Sequence, residues 1–156
     1  MDRSHEYSLT ERYRELSDDI AAAVAVVSAR RGTTAHAITV DSFLDVSYDP
    51  PTMAVSIYSG SRMMETLEMS EHFAISVLAS EQRDLSERLG ATGQPLYGAL
   101  AGVDHSPAPR SGQPIIGGAV AWFELRTVDI LTVATHSLVV GEVVALGASP
   151  GSGQSR

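Results

Sequence analysis

Thr39-Val40-Asp41-Ser42-Phe43, Val46-Ser47-Tyr48-Asp49-Pro50-Pro51 and Ser59-Gly60-Ser61-Arg62 follow one another with only a strand-like segment between the second and the third. Small hydroxyl residues supply hydrogen-bond donors without bulk, the proline pair favours an extended turn, and Ser-Gly-Ser-Arg sets flexible backbone amides beside a cation. Such a set suits an anionic group, a phosphate in particular. Between them, residues 52–59 alternate: Met53, Val55 and Ile57 point to one face, and Thr52, Ala54, Ser56 and Tyr58 to the other, which is the period of a strand. Ser61 can then cap a helix running to about residue 69, with Met63 and Leu67 as its core face and Glu65 and Glu68 toward solvent. The start of that helix favours an anion.

Upstream, residues 33–42 alternate as a strand, and Arg30-Arg31-Gly32 reads as a turn. The small-apolar run 20–29 fits a helix or a buried strand equally by periodicity. Residues 10–16 suit a short helix with Thr10 as N-cap and Glu11 in the first turn. Downstream, residues 72–79 form a strand, and Ser80 caps a second helix in which Leu85 and Leu89 share a face. The Gly- and Pro-rich stretch 90–118 reads largely as loop, a length usually tied to function or mobility. Residues 119–131 and 137–146 make two long strands, and the Gly/Ser-rich end, 148–156, is expected to be disordered. Strands outnumber helices and pair locally, the pattern of an antiparallel barrel and not of a doubly wound sheet.

A chain of 156 residues, 44% hydrophobic and 19% charged, has the size and composition of one globular domain with an adequate core. Cysteine is absent, which excludes disulfides, zinc–thiolate and iron–sulfur sites and a thiol nucleophile. A formal net charge of -8 argues against nucleic acid or an anionic membrane as the main partner. A small anionic ligand held by local donors remains compatible with it. The polar start, Met1 to Tyr7, leads into no apolar run, so a signal peptide and a transmembrane helix are not expected and the cytoplasm is the expected compartment.

The order and spacing of these pieces resemble the flavin reductase-like family. The resemblance extends through Val24-Ala25-Val26-Val27-Ser28, Phe73-Ala74-Ile75-Ser76-Val77-Leu78-Ala79, Ala101-Gly102-Val103-Asp104, Ala121-Trp122-Phe123-Glu124-Leu125 and His136-Ser137-Leu138-Val139-Val140-Gly141-Glu142-Val143. It implies a mainly β fold, an antiparallel Greek-key split β-barrel of the FMN-binding type with a few short peripheral helices, and favours a strand at 24–28. On that basis residues 1–19 form an N-terminal helical arm, 20–147 the split-barrel domain and 148–156 a tail. The implied activity is NAD(P)H-dependent reduction of FMN or FAD, with NADH or NADPH as hydride donor, in a homodimer that can supply reduced flavin to a partner monooxygenase. A flavin-binding or electron-transfer protein without turnover, or a non-flavin dimeric barrel, is the competing reading.

The resemblance also distributes roles. Thr39, Val40, Asp41 and Ser42, with Ser47 nearby, are expected along the polar edge of the flavin ring, and Ser59, Ser61 and Arg62 on its phosphate. His136 is expected near flavin and nicotinamide, in a positioning role more than in proton transfer. Four positions depart from the family pattern: Asp41 replaces an asparagine or serine, Met63 a common threonine, and Ala134-Thr135 a Gly-Asp pair before the histidine. Taken by themselves, the Thr and Ser residues also suit ordinary strand and turn positions, and Arg62 a solvated turn. His36, His72 and His105 fall in no recognised metal-ligand spacing, so no metal site is expected. The chain has neither a Gly-x-Ser-x-Gly elbow nor a Gly-x-Gly-x-x-Gly fingerprint, so any nicotinamide nucleotide binds without a Rossmann domain.

Overall fold

The computed structural model describes residues 3–17, 23–90 and 98–148, with side chains described from residue 8 onward. Helix α1 (Arg3–Ser17) precedes the strands β1 (Ala25–Arg31), β2 (Thr34–Val40), β3 (Phe43–Tyr48) and β4 (Pro51–Tyr58). Helix α2 (Arg62–Met69), β5 (His72–Val77), a 3-10 turn (Ser80–Gln82) and α3 (Arg83–Gly90) follow. A small hairpin of β6 (His105–Pro107) and β7 (Pro114–Ile116) leads into the long pair β8 (Ala121–Val133) and β9 (His136–Gly147).

Seven strands form one sheet in the order β2-β1-β5-β8-β9-β4-β3, and every pairing in it is antiparallel. The edge strands, β2 and β3, are consecutive in the chain and are joined through Asp41 and Ser42 alone. The sheet therefore curls until its edges approach, and the expected split barrel results. Register shifts in β8–β9 at Glu124/Leu125 and Thr127/Asp129, and in β3–β4 at Asp45/Ser47, supply the sharp bends that closure needs.

The inward face carries the main core. Val27, Val55, Ile57, Phe73, Ile75, Leu125 and Val139 converge there, and α2 plugs one end with Met63, Met64 and Leu67. The alternation at Met53, Val55 and Ile57 is what turns β4 correctly, and removing each such side chain from water contributes about 1.5–3 kcal/mol. A second cluster lies outside the sheet, where Val26 and Ala37 meet Leu89 of α3 and Leu100 and Ile116. Glu124 is fully buried on β8 and accepts hydrogen bonds from the backbone N–H groups of Arg110 and Ser111 and from the Ser111 hydroxyl. These bonds hold the turn of the β6–β7 hairpin against the sheet.

Several local expectations are corrected. Thr10 lies within α1 and not at its cap, because the preceding residues carry no helix breaker and the helix already begins at Arg3. Arg30 and Arg31 continue β1, pairing with Ala35 and Thr34, and the turn itself is Gly32-Thr33, with Gly32 at a φ of 66° that suits glycine. Ser80 sits inside the 3-10 turn; the amide before it, that of Ala79, is taken by the Gln82 side chain at 2.8 Å. The stretch expected to be loop contains the β6–β7 hairpin, whose three-residue strands are too short to show a period. The expected boundary between arm and barrel, at 19/20, and residues 149–156 of the expected tail lie outside the described residues.

Gly141 marks a close approach inside the barrel. A Cβ there would stand 2.9 Å from Leu125 Cβ and 3.1 Å from the Phe73 ring. We predict that Gly141→Ala lowers stability by about 1–3 kcal/mol through overpacking, measured by urea denaturation, and an unchanged midpoint would contradict this packing.

Candidate functional site

A cleft of about 260 Å³ opens at the seam of the barrel, lined by Ile38 to Ser42, by Ser56, Ile57 and Tyr58 on β4, by Ser61 and by His136. Beside it the Ser56 N–H donates to the Ser42 carbonyl at 2.9 Å, which carries the β3–β4 ladder one pair beyond Phe43. Because β2 is an edge strand, half of its backbone polar groups face away from β1 and are free to meet a ligand. One wall is thus backbone, and the other is the end of β4 with the first turn of α2.

The expected site residues divide by what their side chains already do. Val40 lines the cleft while packing partly against the core. The Thr39 hydroxyl donates to the Ser86 carbonyl of α3 at 2.8 Å, so Thr39 serves the cleft through its backbone. Asp41 and Ser42 are exposed, and the Ser42 hydroxyl donates to Asp41 Oδ1 at 3.3 Å, an arrangement that occupies both. Ser47 is not brought to the cleft: it pairs with Thr52 at the far end of β3, and its hydroxyl accepts from the Asp49 N–H at 3.3 Å.

On the phosphate side, Ser61 is the N-cap of α2, its hydroxyl accepting from the Met63 N–H at 3.0 Å. The Ser59 hydroxyl bonds with that of Ser137 at 2.9 Å, and its N–H donates to the Thr135 carbonyl, fastening β4 to the β8–β9 turn. Both serines therefore build the frame. Arg62 is exposed and forms no ion pair among the described residues. With the Met63 N–H on the Ser61 hydroxyl and the Met64 N–H on the Ser61 carbonyl, the uncommitted donors at the start of α2 are the guanidinium and the backbone N–H of Arg62. Met63, which replaces a threonine of the family pattern, is fully buried in the barrel.

His136 opens β9 at the rim, exposed, with its Nδ1 3.0 Å from the Thr135 hydroxyl. Its ring meets Tyr58 edge to face, with centroids 5.9 Å apart and planes at 68°. Tyr58 was legible only as an outward residue of β4, yet its ring folds over Gly60, where a Cβ would come within 2.7 Å of the ring. Sequence reasoning also missed the role of His36. That ring is buried on β2 with Nδ1 2.7 Å from the hydroxyl of Thr66 on α2. Burial first, and then the charges of Arg31 and Arg62, hold its pKa below the ordinary 6.5, so it stays neutral. His105 instead bonds to the Val103 carbonyl at 2.7 Å, and His72 begins β5.

A larger groove of about 400 Å³ runs between α3 and residues 102–104, over Leu85, Val103 and Ile116. Glu81, Asp84 and Asp104 wall it, and its one arginine, Arg88, is held by the carbonyls of Ala99 and Ala101. That lining repels a phosphate, so the smaller cleft fits an anionic nucleotide better.

Comparison with known proteins places the fold and cleft in context. Residues 17–155 match the family model described as flavin reductase like domain. The chain is 37% identical over 111 residues to the stachydrine N-demethylase reductase subunit Stc3 of Rhizobium meliloti, covering 71% of this chain but only 46% of that protein. It is 34% identical over 156 residues to the NADH-dependent FMN reductase AsuE2 of Streptomyces nodosus subsp. asukaensis, covering 97% of this chain and 82% of the relative. Among solved structures, BorF, the flavin reductase component of a bacterial two-component tryptophan halogenase, superposes with a TM-score of 0.82 at 27% identity, over 89% of this chain and 87% of that one. With a matching family model across most of its length and a relative of this similarity, the chain belongs to the flavin reductase-like family.

Proposed function

We propose that this chain is an NAD(P)H-dependent flavin reductase whose flavin lies in the seam cleft. One observation carries the reading: the open backbone edge at residues 39–42, Ser61 at the cap of α2 and the Tyr58–His136 pair line one cavity, and the uncommitted Arg62 follows Ser61 directly in the chain. The residues fit the group. The edge backbone suits the hydrogen-bonding rim of a flavin ring, and a guanidinium beside a helix start suits its phosphate. A bound flavin supplies an acceptor, N5, for the hydride of nicotinamide C4. For their part, the chain's residues hold and orient, since the step needs stacked rings and no strong acid or base. With the Ser59 and Ser61 hydroxyls spent on the frame, the hold on phosphate rests on few groups, which suits a flavin that leaves after reduction.

The relatives support the same chemistry, since AsuE2 is named an NADH-dependent FMN reductase and BorF a component of a two-component enzyme. By that analogy the reduced flavin passes to a separate monooxygenase, and the cytoplasm, where reduced nicotinamide is supplied, is the setting. A homodimer is supported by the outer face of the sheet. In register, Leu44, Ala54, Val140 and then Ser56, Leu138, Leu131 run across β3, β4, β9 and β8, and Leu44, Leu131 and Val133 are left exposed. This apolar face adjoins the cleft at Tyr58 and His136, so a second copy would cover both.

Purified protein is expected to quench FMN fluorescence and to oxidise NADH or NADPH only when flavin is added. Binding without oxidation would leave a flavin carrier, and no binding would sink the reading. Arg62→Ala should weaken flavin binding about tenfold while the protein stays folded, whereas Ser61→Ala should mainly cost about 1 kcal/mol of stability through the lost cap. His136→Ala should slow flavin reduction more than it weakens binding, followed by stopped-flow; equal losses would make His136 a binding residue. Leu131→Glu should shift the protein from dimer to monomer in sedimentation velocity, and a monomeric wild type would remove the dimer.

A further inference from the structure

We propose that His36 and Thr66 are positioning residues for the flavin site, their hydrogen bond setting the angle between β2 and α2. The role rests on the flavin reading above. The two elements carry the two halves of the cleft: β2 ends in the backbone edge at residues 39–42, and α2 begins with Arg62. His36 lies on β2 three positions before Thr39, and Thr66 lies one helical turn beyond Arg62, directly beneath it on the same face.

The bond is built as a lock. His36 is 7% exposed and Thr66 0%, and the Nδ1–Oγ1 separation is 2.7 Å. No other side-chain hydrogen bond joins β2 to α2 among the described residues. Two polar contacts tie α2 to β1 instead, the Ser70 hydroxyl donating to the Arg30 carbonyl at 3.0 Å at its C-terminal cap and the exposed Glu65–Arg31 pair at 3.4 Å, while Met63, Met64 and Leu67 hold the helix down by apolar contacts that do not fix its rotation. A hydrogen bond in a dry interior is directional and costly to lose, so it selects one orientation. Thr is also a poor helix former, and a buried hydroxyl in mid-helix gains nothing there without a partner.

Burial and charge keep the ring suited to this task. Burial first, and then Arg31 on β1 and Arg62 on α2, disfavour a proton on His36, and the nearby acid, Glu65, is drawn to Arg31 at 3.4 Å. A neutral imidazole can meet the Thr66 hydroxyl as donor or acceptor, and the hydroxyl can take the complementary part. Protonation would add a third cation to the same spot. The lock is therefore matched to a neutral ring.

The test separates position from mere support. Thr66→Val keeps the shape and removes the hydroxyl, Thr66→Ser keeps the hydroxyl, His36→Leu removes the ring nitrogen, and His36→Asn restores a polar atom near Nδ1. We expect Thr66→Val and His36→Leu to raise the Kd and KM for FMN about tenfold, with kcat at saturating FMN close to wild type. Thr66→Ser and His36→Asn should return Kd toward wild type. A folded Thr66→Val, or a folded His36→Leu if the valine variant does not fold, that binds FMN as wild type does would overturn the role even if its Tm falls. Wild-type protein that fails to quench FMN would overturn the flavin reading itself, and this role with it.

Discussion

The two edge strands of the sheet are neighbours in the chain, and the rest of the molecule answers to that covalent constraint. Laid flat, the edges of a seven-stranded sheet would stand roughly 29 Å apart, yet the link through Asp41 and Ser42 reaches only about 10 Å. The sheet must close on itself. Its bulges in β8–β9 and β3–β4, the lack of room for a Cβ at Gly141, and the plug of Met63 and Leu67 are all consequences of wrapping a ring this small. At the seam β2 and β3 meet without a ladder, and backbone polar groups remain there for a ligand. Fold and cleft have the same origin.

Legibility from the sequence followed locality. The alternation at Met53, Val55 and Ile57 and the cap at Ser61 were readable because each depends only on residues within one turn or strand. The β6–β7 hairpin was not, since three-residue strands show no period and their turn is fastened by Glu124, a residue more than ten positions downstream. Site chemistry followed the same rule. The sequence could count the hydroxyls of Thr39, Ser42, Ser59 and Ser61 as donors, but not that Ser86, Asp41, Ser137 and Met63 would occupy them. Arg62 forms no ion pair among the described residues because Glu65, the acid in its own helical turn, pairs with Arg31 instead. Tyr58 and the His36–Thr66 pair were invisible because their importance lies in what the closed ring sets beside them.

Electrostatics sorts the surface more finely than net charge does. A chain with a formal charge of -8 would repel an anionic nucleotide on average, but the acids are not averaged. Glu81, Asp84 and Asp104 crowd the larger groove, while the start of α2 keeps Arg62 and, close behind it, Arg31. Within a Debye length of about 8 Å the local set prevails over the distant total. The same clustering that draws an anion to the seam steers it from the wider groove.

Ala134 occupies the left-handed region, with a φ of 53°, in the tight turn between β8 and β9. Glycine would take that conformation freely, whereas a side chain there costs about 1 kcal/mol. The turn keeps this cost while delivering Thr135, whose carbonyl holds Ser59, and His136, which faces Tyr58. A small reserve of stability is thus left unclaimed at one position, with no packing to rearrange. The barrel can drift elsewhere in sequence, losing a contact or a cap, and recover the loss by a single change at this turn without disturbing the cleft.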